Sequence, residues 1–124
     1  MLNILLSPNE KTPIYKQIED SIKTEILNGS LKEGSPLPSI RELALELGVS
    51  VITVKGAYEA LTQDGFIYSY PGKGFFVSHL NEETLSLIKK QITLNTIRKQ
   101  IAYLKKLGVS EEDIRKAFKD EIED

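Results

Sequence analysis

The chain has 124 residues, 40% of them hydrophobic, with 16 basic against 18 acidic side chains and a formal net charge of -2; its isoelectric point near 5.5 does not announce a nucleic-acid partner. No run approaches the ~18 apolar residues of a membrane span, and the N-terminal stretch lacks the basic start and apolar run of a secretory signal, so a soluble, cytoplasmic chain with no membrane partner is expected. Zero cysteine removes disulfides, thiolate zinc sites and thiol nucleophiles, and the single histidine, His79, leaves no Ser/His or multi-His constellation, which excludes most hydrolase and metalloenzyme chemistry and implies no cofactor.

In chain order, Thr12-Pro13 supplies an N-cap and a proline at the first helical position, where its missing N–H costs nothing. Ile14, Ile18, Ile22 and Ile26 then mark one stripe of a helix facing a core, closed by Asn28-Gly29. Ser30 to Pro38 hold prolines and glycine without periodicity and read as a connecting loop. Ser39-Ile40-Arg41-Glu42 is a capping box that opens a second helix, whose apolar face is Ile40, Leu43, Ala44 and Leu47. Gly48 sits where a left-handed residue ends that helix, Val49 can staple against Val54, and Ser50 can cap a third helix. That helix carries Val54, Ala57, Tyr58 and Leu61 inward and ends at Asp64-Gly65. Phe66 to Tyr70 and Phe75 to Val77, separated by Pro71-Gly72-Lys73-Gly74, have the aromatic and β-branched content of a hairpin. A first domain is therefore expected over residues 1–80.

Residues 81–124 are few for a self-sufficient core, since chains near ~40 residues usually need staples or partners. From Glu82 to Leu107 the pattern is helical, but Leu85, Ile88 and Ile92 share one face while Leu94, Ile97, Ile101 and Leu104 lie about half a turn away. Either this helix breaks near Thr93, or one half packs on its own subunit while the other meets a second chain. Gly108, Val109 and Ser110 repeat the stop, staple and cap, and Ile114, Ala117, Phe118 and Ile122 mark a final helix.

The tetrapeptide Leu-Gly-Val-Ser thus occurs at 47–50 and again at 107–110, and either copy could be the turn of a DNA-reading helix pair. After Ser110 come Glu111, Glu112 and Asp113, which suit a helix N-terminus but would face phosphates with negative charge. After Ser50 come Val51, Ile52, Thr53, Val54 and Lys55, with no acid until Glu59, so only the first copy can face DNA. Opposite the buried stripe of the third helix, Ile52 can touch a thymine methyl, Thr53 and Lys55 can bond base edges or phosphates, and Gly56 lets the backbone come close; Glu59 and Asp64 lie where the helix leaves the groove. The same residues also fit an ordinary surface helix with one stray isoleucine. Arg41, the only arginine among the first 80 residues, stands at a helix N-terminus where its charge opposes the dipole, which calls for an external anion or a nearby acid. Lys73 between Gly72 and Gly74 fits a wing tip, or a solvated turn that needs glycine. His79 reads as a surface or structural residue. Residues 1–80 carry seven basic against nine acidic side chains, so placement rather than total charge must carry any DNA contact.

The stretch Leu37-Pro38-Ser39-Ile40-Arg41-Glu42-Leu43-Ala44, followed by Leu47-Gly48-Val49-Ser50, Thr53-Val54, Ala57-Tyr58, Leu61, Gly65 and Gly72-Lys73-Gly74-Phe75-Phe76-Val77, closely resembles the winged helix-turn-helix of GntR-family bacterial transcription regulators. The Pro-Ile-Tyr-Lys-Gln-Ile opening is similar as well, and the short helical tail resembles that of the YtrA-like branch, whose members often control transporter operons. The resemblance implies DNA contact from Ser39 and Arg41, from Ser50, Thr53 and Lys55, and from Gly72, Lys73 and Gly74. Val51 stands where many relatives have arginine, and Lys55 where arginine is frequent, so bidentate guanine reading is not implied from those positions.

The expected fold is mainly α with a small β-hairpin wing, a winged helix-turn-helix, plus a short all-helical C-terminal dimerisation domain. The expected function is that of a homodimeric, sequence-specific DNA-binding regulator, a repressor, that reads a palindromic double-stranded operator. Ile52 joins its DNA-facing set, and Leu94, Ile97, Ile101, Leu104 and Phe118 form the dimer contact. A winged-helix protein-interaction module without DNA binding is the rival, and no constellation of polar groups marks an effector site.

Overall fold

The computed structural model describes residues 2–123. Its first helix, α1, runs Ile14–Leu27 and buries Ile18, Ile22 and Ile26. It starts one residue later than the Thr12-Pro13 pattern predicts. Pro13 is the N-cap itself, with ψ at 152° and no side-chain cap, and its carbonyl accepts from Lys16 and Gln17 N–H. Thr12 lies one residue before that cap, and its carbonyl accepts from the Gln17 side-chain amide at 2.9 Å. The same amide group clamps both the N–H and the carbonyl of Ser7. Glu19 is also buried on α1, a position the isoleucine stripe does not announce. It lies 3.4 Å from both Lys16 and Lys23, and the Lys23 ammonium sits over the Phe66 ring at 5.3 Å.

The second helix, α2, spans Ile40–Leu47, and both halves of the predicted capping box form. Ser39 Oγ accepts from Glu42 N–H at 3.1 Å, and Glu42 Oε1 accepts from Ser39 N–H at 3.0 Å. Gly48 takes the left-handed conformation, φ 69°, that ends α2. Ser50 then caps α3, Val51–Gln63, whose Val54, Ala57, Tyr58 and Leu61 are fully buried as the periodicity predicts. Tyr58 is the hinge-pin of the unit. Its hydroxyl donates to the Pro38 carbonyl at 2.7 Å, and its ring meets Phe75 edge-on at 5.0 Å, so one side chain ties the loop before α2, the third helix and the hairpin. Burial, with the nearby Glu42 charge adding to it, pushes the Tyr58 phenol far above its ordinary value, which keeps it a donor.

The hairpin pairs β1, Ile67–Tyr70, with β2, Gly74–Val77, in antiparallel register from Ile67↔Val77 to Tyr70↔Gly74. Phe66 therefore precedes the first strand and Gly74 opens the second, each one residue away from the sequence expectation. The predicted loop over 30–38 has a further role. Leu37 N–H donates to Phe75, Val77 N–H to Ser35 and Gly34 N–H to Val77, so this segment covers the outer edge of β2 around a Pro36↔Phe76 bridge.

The chain divides into two compact units, Met1–Asn81 and Glu82–Asp124. The second consists of α4, Glu82–Lys106, and α5, Glu111–Ile122. Helix α4 is continuous, so the alternative of a break near Thr93 is ruled out. The Thr93 hydroxyl instead donates to the Lys89 carbonyl within the helix at 2.7 Å. Among the described residues α4 has no buried side chain, and Ile114 of α5 is the buried hydrophobic residue of the unit. No helix among the described residues is long and apolar enough to cross a membrane.

Candidate nucleic-acid interface

The two Leu-Gly-Val-Ser segments fold alike. Gly48 and Gly108 have φ 69° and 88°, Val49 and Val109 N–H reach back to Ala44 and Leu104, and Ser50 and Ser110 accept from the N–H of Thr53 and Asp113. What differs is the turn that follows. Helix α5 begins with Glu111, Glu112 and Asp113, whereas α3 has no acid in its first turn. The difference in function expected of the two copies therefore rests on charge and not on backbone shape.

At the start of α3, Ser50 Oγ and Thr53 Oγ1 lie 2.7 Å apart. Val51 and Ile52 face solvent, the latter 81% exposed. Lys55 projects from the next turn, with its ammonium 3.9 Å from Glu59. Gly56 follows on the side of α3 toward α1. A Cβ there would meet Tyr15 Cβ at 3.9 Å, so the missing side chain faces α1 rather than the open side of the helix. Tyr15 and Ile14 join Ile52, Thr53 and Gly56 around an open groove of about 380 Å³. Tyr15, in the Pro-Ile-Tyr-Lys-Gln-Ile opening, is half exposed, and nothing in the local sequence pattern marks it for contact.

Arg41 lies on the exposed first turn of α2 and makes no ion pair among the described residues, so the nearby-acid alternative is not realised. Its neighbour Glu42 is turned back onto Ser39. The hairpin tip is Pro71-Gly72-Lys73, with Gly72 and Gly74 at φ 77° and 110°, values that only glycine adopts without strain. Lys73 is exposed there. His79 pairs with Glu33 on the surface.

The hydrogen bonds from Ser39 hold the Glu42 carboxyl below its ordinary value of 4.5. A depressed carboxylate contributes stability that is present above 4.5 and lost as the pH falls through the folded value. Glu42→Gln is therefore expected to lower the melting temperature near neutrality and to converge on the wild type well below pH 4.5, which flattens the acid limb of the profile. An unchanged acid limb in that variant would deny the capping box its part in acid stability.

A helix-turn-helix closed by a β-hairpin, with its third helix presenting an acid-free first turn, defines a winged helix-turn-helix protein. The chain belongs to the GntR family of bacterial regulatory proteins; the family model described as "Bacterial regulatory proteins, gntR family" matches residues 14–77. It is similar to the HTH-type transcriptional repressor YtrA of Bacillus subtilis, 37% identical over 94 residues that cover 72% of each chain. It is also similar to the HTH-type transcriptional repressor NagR of Bacillus subtilis, 47% identical over 66 residues; that match covers 53% of this chain and only 27% of NagR. A GntR family transcriptional regulator from Listeria monocytogenes superposes with a TM-score of 0.76 at 32% identity, covering 90% of this chain and 97% of that one. AraR(DBD) in complex with operator ORR3 superposes with a TM-score of 0.53 at 31% identity, covering 60% and 89%.

Proposed function

We propose that the chain is a homodimeric repressor that reads a palindromic operator, with α3 in the major groove and the hairpin on flanking DNA. The observation that carries this reading is the first turn of α3: free of acid, with Val51 exposed and Ile52 81% open to solvent. Ser39 and Arg41 at the start of α2, Ser50, Ile52, Thr53 and Lys55 on α3, and Gly72, Lys73 and Gly74 at the hairpin tip form the contact set. That YtrA and NagR are transcriptional repressors supports repression, and the AraR(DBD) complex supports an operator as partner. The branch resemblance adds transporter genes as targets.

The second unit supports pairing. Helix α4 extends about 37 Å and leaves Leu94 and Ile97 exposed, while Ile101, Leu104 and Phe118 are half-buried. A helix with this much open apolar surface is not stable alone in water, and a second copy supplies the missing cover. These five residues form the proposed dimer contact, and residues 1–80 and 81–124 are the DNA-binding and dimerisation domains of the reading.

Selection of bound duplexes from a random library by the intact protein tests it. Enrichment of an inverted repeat whose half-sites lie about 10 bp apart, or a multiple of that, is expected. Recovery of no preferred duplex would overturn the proposal.

A further inference from the structure

The polar side chains that open α3 are turned on each other. Ser50 Oγ takes the Thr53 N–H at 3.1 Å and lies 2.7 Å from the Thr53 hydroxyl. The nearest cation, Lys55, leans toward Glu59. What the first turn offers a partner is hydrocarbon: Val51 at 43% and Ile52 at 81% exposure. The hydrocarbon is shaped, since Ile14 and Tyr15 of α1 stand across from Ile52 and Gly56 forms part of the lining between them.

In the major groove, adenine, guanine and cytosine show hydrogen-bonding atoms, whereas thymine also shows a C5-methyl group. An isoleucine set against a polar edge strips water from it and returns no bond, which disfavours the other bases. We propose that Ile52 and Tyr15 read one thymine in each half-site by enclosing its C5-methyl between them. Tyr15 is then a specificity-determining residue supplied by α1, outside the helix pair. This inference rests on the DNA-binding reading above and adds to it the chemistry by which a base is chosen without an arginine.

The test uses the intact protein and the duplex it selects, with each thymine replaced singly by deoxyuridine, which removes only the methyl. At one thymine per half-site, uracil is expected to weaken binding about fourfold, and in both half-sites together about fifteenfold, the loss that one buried methyl per site implies. Ile52→Ala, a change at an exposed position that leaves the core intact, should reduce that ratio to below about twofold. Tyr15→Ala should reduce it as well. At the same position 5-methylcytosine should bind better than cytosine and less well than thymine; tighter binding than thymine would assign the notch to a methylated cytosine and overturn the proposal. Indifference to uracil at every thymine, or an equal loss in Ile52→Ala, would also overturn it while the operator reading stands. Failure to select any duplex removes both.

Discussion

Replacing Ile97 by glutamate is expected to turn the proposed dimer into a monomer and to weaken operator binding by about a hundredfold or more, the gain that pairing two binding modules supplies. Ile97 is 41% exposed on a helix with no buried side chain, so the substitution does not harm the chain's own packing. In a paired helix the same carboxylate would be desolvated against apolar neighbours, including Leu94 and its counterpart across the two-fold axis. Ile101 and Leu104 are less suitable sites, because they are already half-buried within one chain. Ile101 lines a surface groove with Ile114 of α5, so its loss would mix folding with association. Light scattering reads the mass, and titration with the selected duplex and with a half-site reads the coupling. A variant that remains dimeric would remove the interface from this face of α4. A monomer that binds the full operator as tightly as the wild type would show that pairing adds nothing to affinity.

The helix pair was legible because its signals are local. Ser39 with Glu42, Gly48 with its left-handed φ, and Ser50 before Val54 and Ala57 each act within a few residues, and each forms as the pattern predicts. The departures came from contacts distant in sequence or from groups that sequence does not orient. Thr12 is a good N-cap by type, but the helix begins one residue later, and the Gln17 amide ties the segment before it through Thr12 and through Ser7, ten residues before Gln17. The Pro36 segment looks like a loop because a single bridge to Phe76 leaves no periodic trace. Glu19 is buried because Lys16 and Lys23 on its own helix reach it. Of the candidate site, the exposure of Ile52 and the lack of acid beside it follow from the helical period. The wall at Tyr15 does not, since two separate helices build it, and the direction of Gly56 follows from the same packing. In the second unit the shifted apolar stripe left two options open, and the continuous α4 removes the break near Thr93.

Arg41→Ala is expected to lower operator affinity about a hundredfold, from the loss of one charge-assisted contact in each subunit, and to leave the fold as stable as before. The net charge of -2 makes this residue count for more than one cation among many. Within the first unit Lys16 and Lys23 are tied to Glu19, and Lys55 lies near Glu59. Arg41 and Lys73 are free of ion pairs among the described residues and lie on two different elements of the proposed interface. If Arg41, Lys55 and Lys73 supply the phosphate contacts of each subunit, log affinity should fall with log salt at a slope of about -5, and at about -3.5 in Arg41→Ala. A guanidinium at a helix N-terminus opposes the dipole, so removing it should not lower the melting temperature. That separation distinguishes a DNA contact from a structural role, because a structural arginine would lose stability and affinity together. An unchanged salt slope in Arg41→Ala would take the residue out of the interface. A wild-type slope near zero would mean that an acidic chain binds DNA without neutralising its phosphates, and would remove the electrostatic basis of the reading.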